Sequence, residues 1–324
     1  MGGLDVEPAH DHGNGRCDVA SRRFAGRSAL VAILCHRCTS PWSDHMSSQR
    51  THEVIAADGA SIAGTVHGSG PPLVFLQGIM GDGDLDWQAL ARHLSNRFTC
   101  HLPSWRGRGR CGAHPDVSLG RLADDVLAYV DSIAGPVGLV GWSAGANLAL
   151  LAAVGAPPDA VHAVALIGPS MPWLMDEHER AALGGAVARM SELAVEERLT
   201  EAIRAFAEFP FTDDDIAVAD DAGYFEAVGH YVPHLLDVQQ QAMAYQGPTP
   251  DEPAVLGAVS APVLVLHGSH AKAHDLTAAR HVAAHVPDAR TQQIAGAGHA
   301  APLTHPQGLA AALTEFFSQA GQPA

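Results

Sequence analysis

From about residue 51 onward the chain alternates between two hydrophobic rhythms: short unbroken apolar runs, and longer stretches with apolar residues three and four apart. The unbroken runs, at residues 73–77, 137–140, 163–167 and 263–266, have strand length and read as strands buried on both faces. The helical rhythm fills residues 119–133, 144–154 and 276–286. Strand and helix in alternation predict an α/β fold, with a mostly parallel central sheet and helices on both faces. Ahead of it, two alternating runs over residues 51–67 flank Asp58-Gly59, a dipeptide suited to the positive φ angles of a tight turn, so an antiparallel hairpin is expected to open the fold.

The alternation breaks between residues 171 and 259, where helical patterns at 179–190 and 195–207 occur with no apolar strand between them. This predicts a helical cap inserted into a core formed by residues 51–170 and 260–319. Acidic runs in the insert, Asp213 to Asp215 and Asp220-Asp221, read as helix starts and solvated loops rather than a metal site. Residues 1–50 show no sustained period and are expected to be a disordered extension, with Met46 an alternative start. Its Cys35-His-Arg-Cys38 has half the spacing of a zinc site but no second matched pair, and no metal is expected.

Composition narrows the function classes. The formal net charge is −16, of which about +1 falls on residues 1–50, leaving an acidic body that repels polyanions. The one dense basic cluster, Arg106, Arg108 and Arg110, is short, so no nucleic-acid role is expected. It reads as a solvated loop, with binding of an anionic substrate as the alternative. Five scattered cysteines are no disulfide scaffold and fit a reducing, cytoplasmic setting. No run approaches the roughly 20 apolar residues that span a bilayer. The apolar run at 29–35, behind Arg22, Arg23 and Arg27, is short and lies far from Met1, unlike an export signal. The oligomeric state has no signature in the chain.

The sharpest motif is Gly141-Trp142-Ser143-Ala144-Gly145, set between an apolar strand and a helix. A serine on such a strand-to-helix turn stands exposed at the sheet edge, and the helix behind it aims unpaired amides at any developing negative charge. Serine is a poor nucleophile without a base. Among 20 histidines, His299 in Gly296-Ala297-Gly298-His299 follows the apparent last strand at 291–295 and is the expected base, with His305 the alternative.

With Gln77-Gly78-Ile79-Met80-Gly81-Asp82, the Arg106–Arg110 loop, the Ser143 elbow and Gly298-His299 in this order, the chain over about residues 51–317 resembles the α/β-hydrolase superfamily, specifically its capped, esterase-like members with a serine nucleophile. The resemblance implies an oxyanion hole built from the backbone amides of Ile79 and Ala144, and no cofactor. A serine at the elbow is unlike the superfamily's haloalkane dehalogenases and epoxide hydrolases, which carry Asp there, and its dienelactone hydrolases, which carry Cys. Two positions depart from the pattern. Gln77 stands where His is usual, and Ala271 where the acid that orients the catalytic His is usual. The other position known in relatives, after the strand at 163–167, is Gly168. Asp275 is the nearest carboxylate, although it also reads as a helix N-cap; Asp176, Glu177 or a dyad without an acid are the alternatives. Trp142, Met171 and Trp173 are expected to line an apolar pocket for a small acyl substrate, along with Met175, or else to be core. Cys100 reads as a buried strand residue and Cys111 as a loop thiol.

The expected function is hydrolysis of a carboxylic ester, lactone or thioester through an acyl-enzyme. Cofactor-free perhydrolysis or haloperoxidation by the same Ser and His, and a catalytically degenerate small-molecule binder, are the rivals.

Overall fold

The computed structural model describes residues 50–320. The expected extension, with Cys35 and Cys38, lies outside the described residues except for Arg50, which begins β1. β1 (Arg50–Ile55) and β2 (Ser61–His67) form the antiparallel hairpin, with Gly59 at a φ of 88° in its turn. The chain continues through β3 (Pro72–Leu76), α1 (Gly83–Leu94), β4 (Thr99–Pro103), α2 (Leu119–Asp131), β5 (Val137–Trp142), α3 (Ala144–Gly155) and β6 (Val161–Ile167). A helical insert follows: α4 (Glu177–Val195), α5 (Leu199–Ala207), α6 (Asp213–Asp221), α7 (Tyr224–Val228), α8 (Val232–Ala244) and the short α9 (Pro253–Gly257). β7 (Val263–Gly268), α10 (Ala273–His285) and β8 (Ala289–Ile294) complete the sheet, and α11 (Ala301–Thr304) and α12 (Pro306–Ala320) end the described chain. The eight strands form one sheet in the order β1-β2-β4-β3-β5-β6-β7-β8, antiparallel only where β2 pairs.

Successive residues of the central strands enter opposite apolar layers. Leu73 and Phe75 of β3, Val140 and Trp142 of β5, and Ala165 and Ile167 of β6 pack with Trp87 and Leu90 of α1 and Phe317 of α12. Their neighbours Val74, Leu76, Leu139, Val164 and Leu166 pack with Leu122 of α2, Ala149 of α3 and Val282 of α10. Both faces of each strand are thus withdrawn from water, which is why the runs are unbroken rather than alternating. Each fully buried Leu, Val or Phe contributes about 1.5–3 kcal/mol of transfer free energy. The insert shares the first layer through Met190, Ile203, Phe206, Phe211 and Phe225, so it is docked on the core through apolar contact as a cap.

Within the insert the run expected at 195–207 is broken. Glu197 takes a φ of 60°, ending α4 and letting α5 start at Leu199. The acidic run at 213–215 forms the first turn of α6, where Thr212 and Asp215 make a capping box and negative charge faces the positive helix end. Among the described residues no group of three His, Cys, Asp or Glu side chains is placed to hold a metal, and no helix is long and apolar enough to cross a membrane.

Candidate active site

The site lies at the carboxyl ends of β3, β5, β6 and β7. β5 delivers Ser143 at a φ of 55°, a backbone conformation unusual for any residue but glycine and a sign of strain held in place by its surroundings. What holds it is close packing. A Cβ on Gly141 would lie 2.4 Å from the Gly145 carbonyl oxygen, and one on Gly145 would lie 2.1 Å from that of Leu76. The two glycines therefore let α3 press against the ends of β5 and β3. Ser143 is buried but borders a cavity, and its amide donates to Ile167 O at 3.0 Å. Ala144 is the first residue of α3, so its amide has no acceptor within the helix.

His299 follows β8 in a buried loop, with its ring beside Trp142 and Phe211, each at a centroid distance of 6.1 Å. Trp142 Nε1 donates to the His299 carbonyl at 2.9 Å, tying that loop to the elbow. Asp275 Oδ1 lies 3.0 Å from His299 Nδ1, and both side chains are buried. The N-cap reading of Asp275 is corrected: α10 begins three residues earlier than the apolar pattern suggests, with Lys272 at the cap. Asp275 then falls on the inward stripe with Ala278, Ala279 and Val282, which turns its carboxylate toward β7 and His299. Burial works against a charged imidazole, but the charge and hydrogen bond of Asp275 outweigh it and raise His299 above the ordinary imidazole range. Asp275 is also 3.4 Å from His274 Nε2, whose ring stacks on Phe209 and is held below its usual pKa by burial.

Gly168, at a φ of 49°, faces the same ring: a Cβ there would sit 3.1 Å from His299 Nδ1. The position after β6 is thus beside the imidazole and carries no side chain, and the carboxylate that meets the ring is that of Asp275. Asp176 caps α4 through a capping box with Glu179, and Glu177 lies on that helix's exposed first turn. His305 bonds to Thr304 beside it and does not border the cavity that Ser143 and His299 share.

Ser143, Ala144, Ile79 and His299 border one cavity of about 680 Å³, whose walls are mostly apolar. Trp142 and Trp173 line it, Trp173 from a rim position that leaves it 45% exposed. Met171 does not. It is packed in the layer between the sheet and α2, α3 and α10, and Met175 takes its expected place on the wall together with Phe206 and Phe209. Phe211 is core and stacks on Trp142.

The reading of the arginine loop as solvated is corrected for two of its three members. Arg106 and Arg108 are fully buried, while Arg110 is exposed. Arg106 forks onto Asp125 of α2 at 2.5 and 2.7 Å and reaches Asp58 in the hairpin turn at 2.8 Å. Arg108 instead turns to the loop after β3, its Nη1 donating to Ile79 O at 2.6 Å and to Gly81 O at 2.9 Å. Gln77, in the place of the usual His, braces the same loop: its Nε2 donates to Gly81 O at 2.5 Å and its Oε1 accepts from Trp105 N at 3.1 Å. Asp86 of α1, absent from the sequence reading, accepts from Gly78 N at 2.9 Å and from the Tyr224 hydroxyl at 2.8 Å. The two described cysteines are buried, and burial pushes Cys100 up to about 12 and Cys111 up to about 11, which leaves them unreactive thiols.

A mostly parallel sheet with an inserted helical cap defines a class of fold, and the family comparison agrees on that fold. A model of the α/β hydrolase fold matches residues 71–306, and the chain belongs to that family. Among curated relatives, a pimeloyl-[acyl-carrier protein] methyl ester esterase of Chromobacterium violaceum is 28% identical over 263 residues, which are 77% of this chain and 95% of that protein. An α/β hydrolase of Sphaerobacter thermophilus matches with a TM-score of 0.63 at 27% identity, covering 82% of this chain and all of the other. A thermophilic esterase of Thermogutta terrifontis superposes with a TM-score of 0.68 over 84% of this chain, at an identity of 20% that speaks for the fold alone. The chain is an esterase-like α/β hydrolase.

Proposed function

We propose that the protein hydrolyses a carboxylic ester through an acyl-enzyme, with Ser143 as nucleophile, His299 as general base and Asp275 as the orienting acid. The observation that carries this is the meeting, at one apolar cavity, of a positive-φ serine and a histidine whose far nitrogen is 3.0 Å from a buried carboxylate. With its Nδ1 proton held by Asp275, His299 presents Nε2 as the acceptor for the Ser143 proton. Ser143 Oγ attacks the acyl carbon, and the oxyanion accepts from the Ile79 and Ala144 amides, each such donor being worth about 3–4 kcal/mol in the transition state. The imidazolium then protonates the departing alcohol. Water, deprotonated by His299 in turn, releases the acid and restores the serine.

The mostly apolar walls of the cavity suit the hydrocarbon part of an acyl substrate. The name of the Chromobacterium relative makes the methyl ester of a carrier-bound acyl chain the first substrate to try. The test is labelling with a fluorophosphonate, mapped by peptide mass, in the wild type, Ser143→Ala and His299→Ala. Labelling at Ser143 that depends on His299 is expected, together with turnover of short acyl esters. Folded wild type that leaves Ser143 unlabelled would sink the hydrolase and favour a binder, and peroxide-dependent halogenation without ester turnover would favour the oxidative rival.

A further inference from the structure

The Ile79 amide belongs to the Gly78–Ile79 peptide. That peptide lies between two others that are each tied by a buried ionisable side chain from a distant part of the chain. On one side, Asp86 accepts from Gly78 N at 2.9 Å; on the other, Arg108 donates to Ile79 O at 2.6 Å. With its two flanking planes tied, both Cα ends of the peptide are held in place, so its N–H can leave the cavity only by a turn of the whole plane about the Cα–Cα axis.

We propose that Arg108, acting with Asp86, is a positioning residue that aims the Ile79 amide at the reacting oxygen, and that the cap completes this clamp. The inference rests on the ester-hydrolase reading and adds to it a determinant outside the triad. Three cap side chains hold the clamp. Tyr224 donates to Asp86 Oδ1 at 2.8 Å. His234 Nδ1 accepts from Arg108 Nε at 3.0 Å, while its Nε2 donates to Arg106 O at 2.8 Å, an arrangement that uses the neutral ring. Burial and the neighbouring guanidinium hold His234 down to about 4, which keeps it neutral and able to accept. Tyr231 and Trp105 each lie 5.3 Å from the Arg108 guanidinium, which replaces part of its lost hydration with aromatic faces. Tyr231 also donates to Asp82 Oδ2 at 2.7 Å, at the start of α1. A guanidinium 1% exposed, yet bound to two loop carbonyls and not to a carboxylate, has lost its hydration without a direct ion pair. Holding the carbonyls of a catalytic loop is a function that accounts for it.

The experiment compares Arg108→Met and Arg108→Lys with wild type on a soluble p-nitrophenyl ester. It also measures inhibition by a trifluoromethyl ketone, whose serine adduct carries an oxyanion. Losing the aim of one oxyanion donor should lower kcat about 10²-fold in the Met variant and weaken the ketone by a similar factor. KM should stay within about threefold, because the amide acts on the transition state and not on the bound ester. Lys keeps the charge but has one nitrogen where the guanidinium has three, so it should fold like wild type and lie between the two in kcat. It carries the test if Met does not fold. A folded Met variant with wild-type kcat and ketone affinity overturns the proposal, as does a loss that appears wholly in KM. Wild-type ester turnover that survives Ser143→Ala would instead bring down the hydrolase reading beneath it.

Discussion

The Ser143 turn and the loop at residues 77–81 leave neighbouring strands, β5 and β3, at the same edge of the sheet, yet they are held in opposite ways. The turn is held from within. Gly141 and Gly145 flank Ser143 by two residues each, and the close approach they permit, with α3 directly behind, sets the backbone at a φ of 55°. In the loop at residues 77–81 the close approach that Gly81 permits is to a side chain of α1, Asp86, and not to neighbouring backbone. Apart from Gln77, its supports come from α1, from the 106–110 loop and, one step further out, from the cap. A catalytic feature made by adjacent residues is read as a motif, whereas one made by remote side chains depends on the whole fold being assembled.

The comparison can be broken at either end. Its largest expected effect is at the turn: Ser143→Ala should cut turnover by about 10⁶ while the melting curve stays as in wild type, since the lost group is chemical and not structural. Near-wild-type turnover would mean that the turn is not the reacting element. Next is Asp275→Asn, expected to lower kcat by about 10⁴ through the wrong imidazole tautomer. The base must be neutral to work, so activity should rise with pH through the raised pKa of His299. Removing the carboxylate that raises it should move this limb to lower pH. An unshifted limb and an unaltered rate would leave Asp275 without the orienting role.

Gly145→Ala tests the packing of the turn directly. Its methyl would meet the Leu76 and Gln77 carbonyls at 2.1 and 2.4 Å, and backbone cannot step aside cheaply. A loss of at least about 3 kcal/mol in urea unfolding is expected, at the upper end of overpacking costs. A fully stable variant would show that the elbow is looser than its contacts imply.

The last effect belongs to the loop and is read against pH. Burial pushes the Asp86 carboxyl up to about 8 from its ordinary 3.8. The folded state therefore keeps a proton that the unfolded chain releases, and stability from this group falls as pH rises between those two values. The slope is at most about 1.4 kcal/mol per pH unit. Asp86→Asn, neutral throughout, should flatten that decline in urea midpoints measured from pH 5 to 8. A wild-type curve that is level over this range would show that Asp86 is ionised in the fold.

How far the chain could be read without coordinates follows the same division. The unbroken runs and the 3.6-residue patterns are properties of adjacent residues, so the sheet, most of its helices and the inserted cap were legible. The same holds for Ser143 and for His299 behind Gly298. α1 went unread, and with it Asp86, although a carboxylate on the stripe of Trp87, Leu90, Ala91 and Leu94 is a visible anomaly. Asp275 carried a similar sign, sharing its stripe with Ala278, Ala279 and Val282. Met171 misled because its neighbours lead into the cap, while its own side chain turns under the sheet.

Sequence alone determined the fold class and singled out the two residues on which the proposed chemistry rests, because hydrophobic period and tight-turn geometry are written over a few consecutive positions. Tertiary structure decided the rest: that Asp275 stands behind a histidine 24 residues away, and that Asp86 meets a tyrosine 138 residues away in the cap. It also turned Arg108 from a surface charge into a buried brace. Such contacts join side chains on separate elements, and nothing in the local pattern of either partner specifies the distance between them until the sheet is formed and the cap is docked upon it.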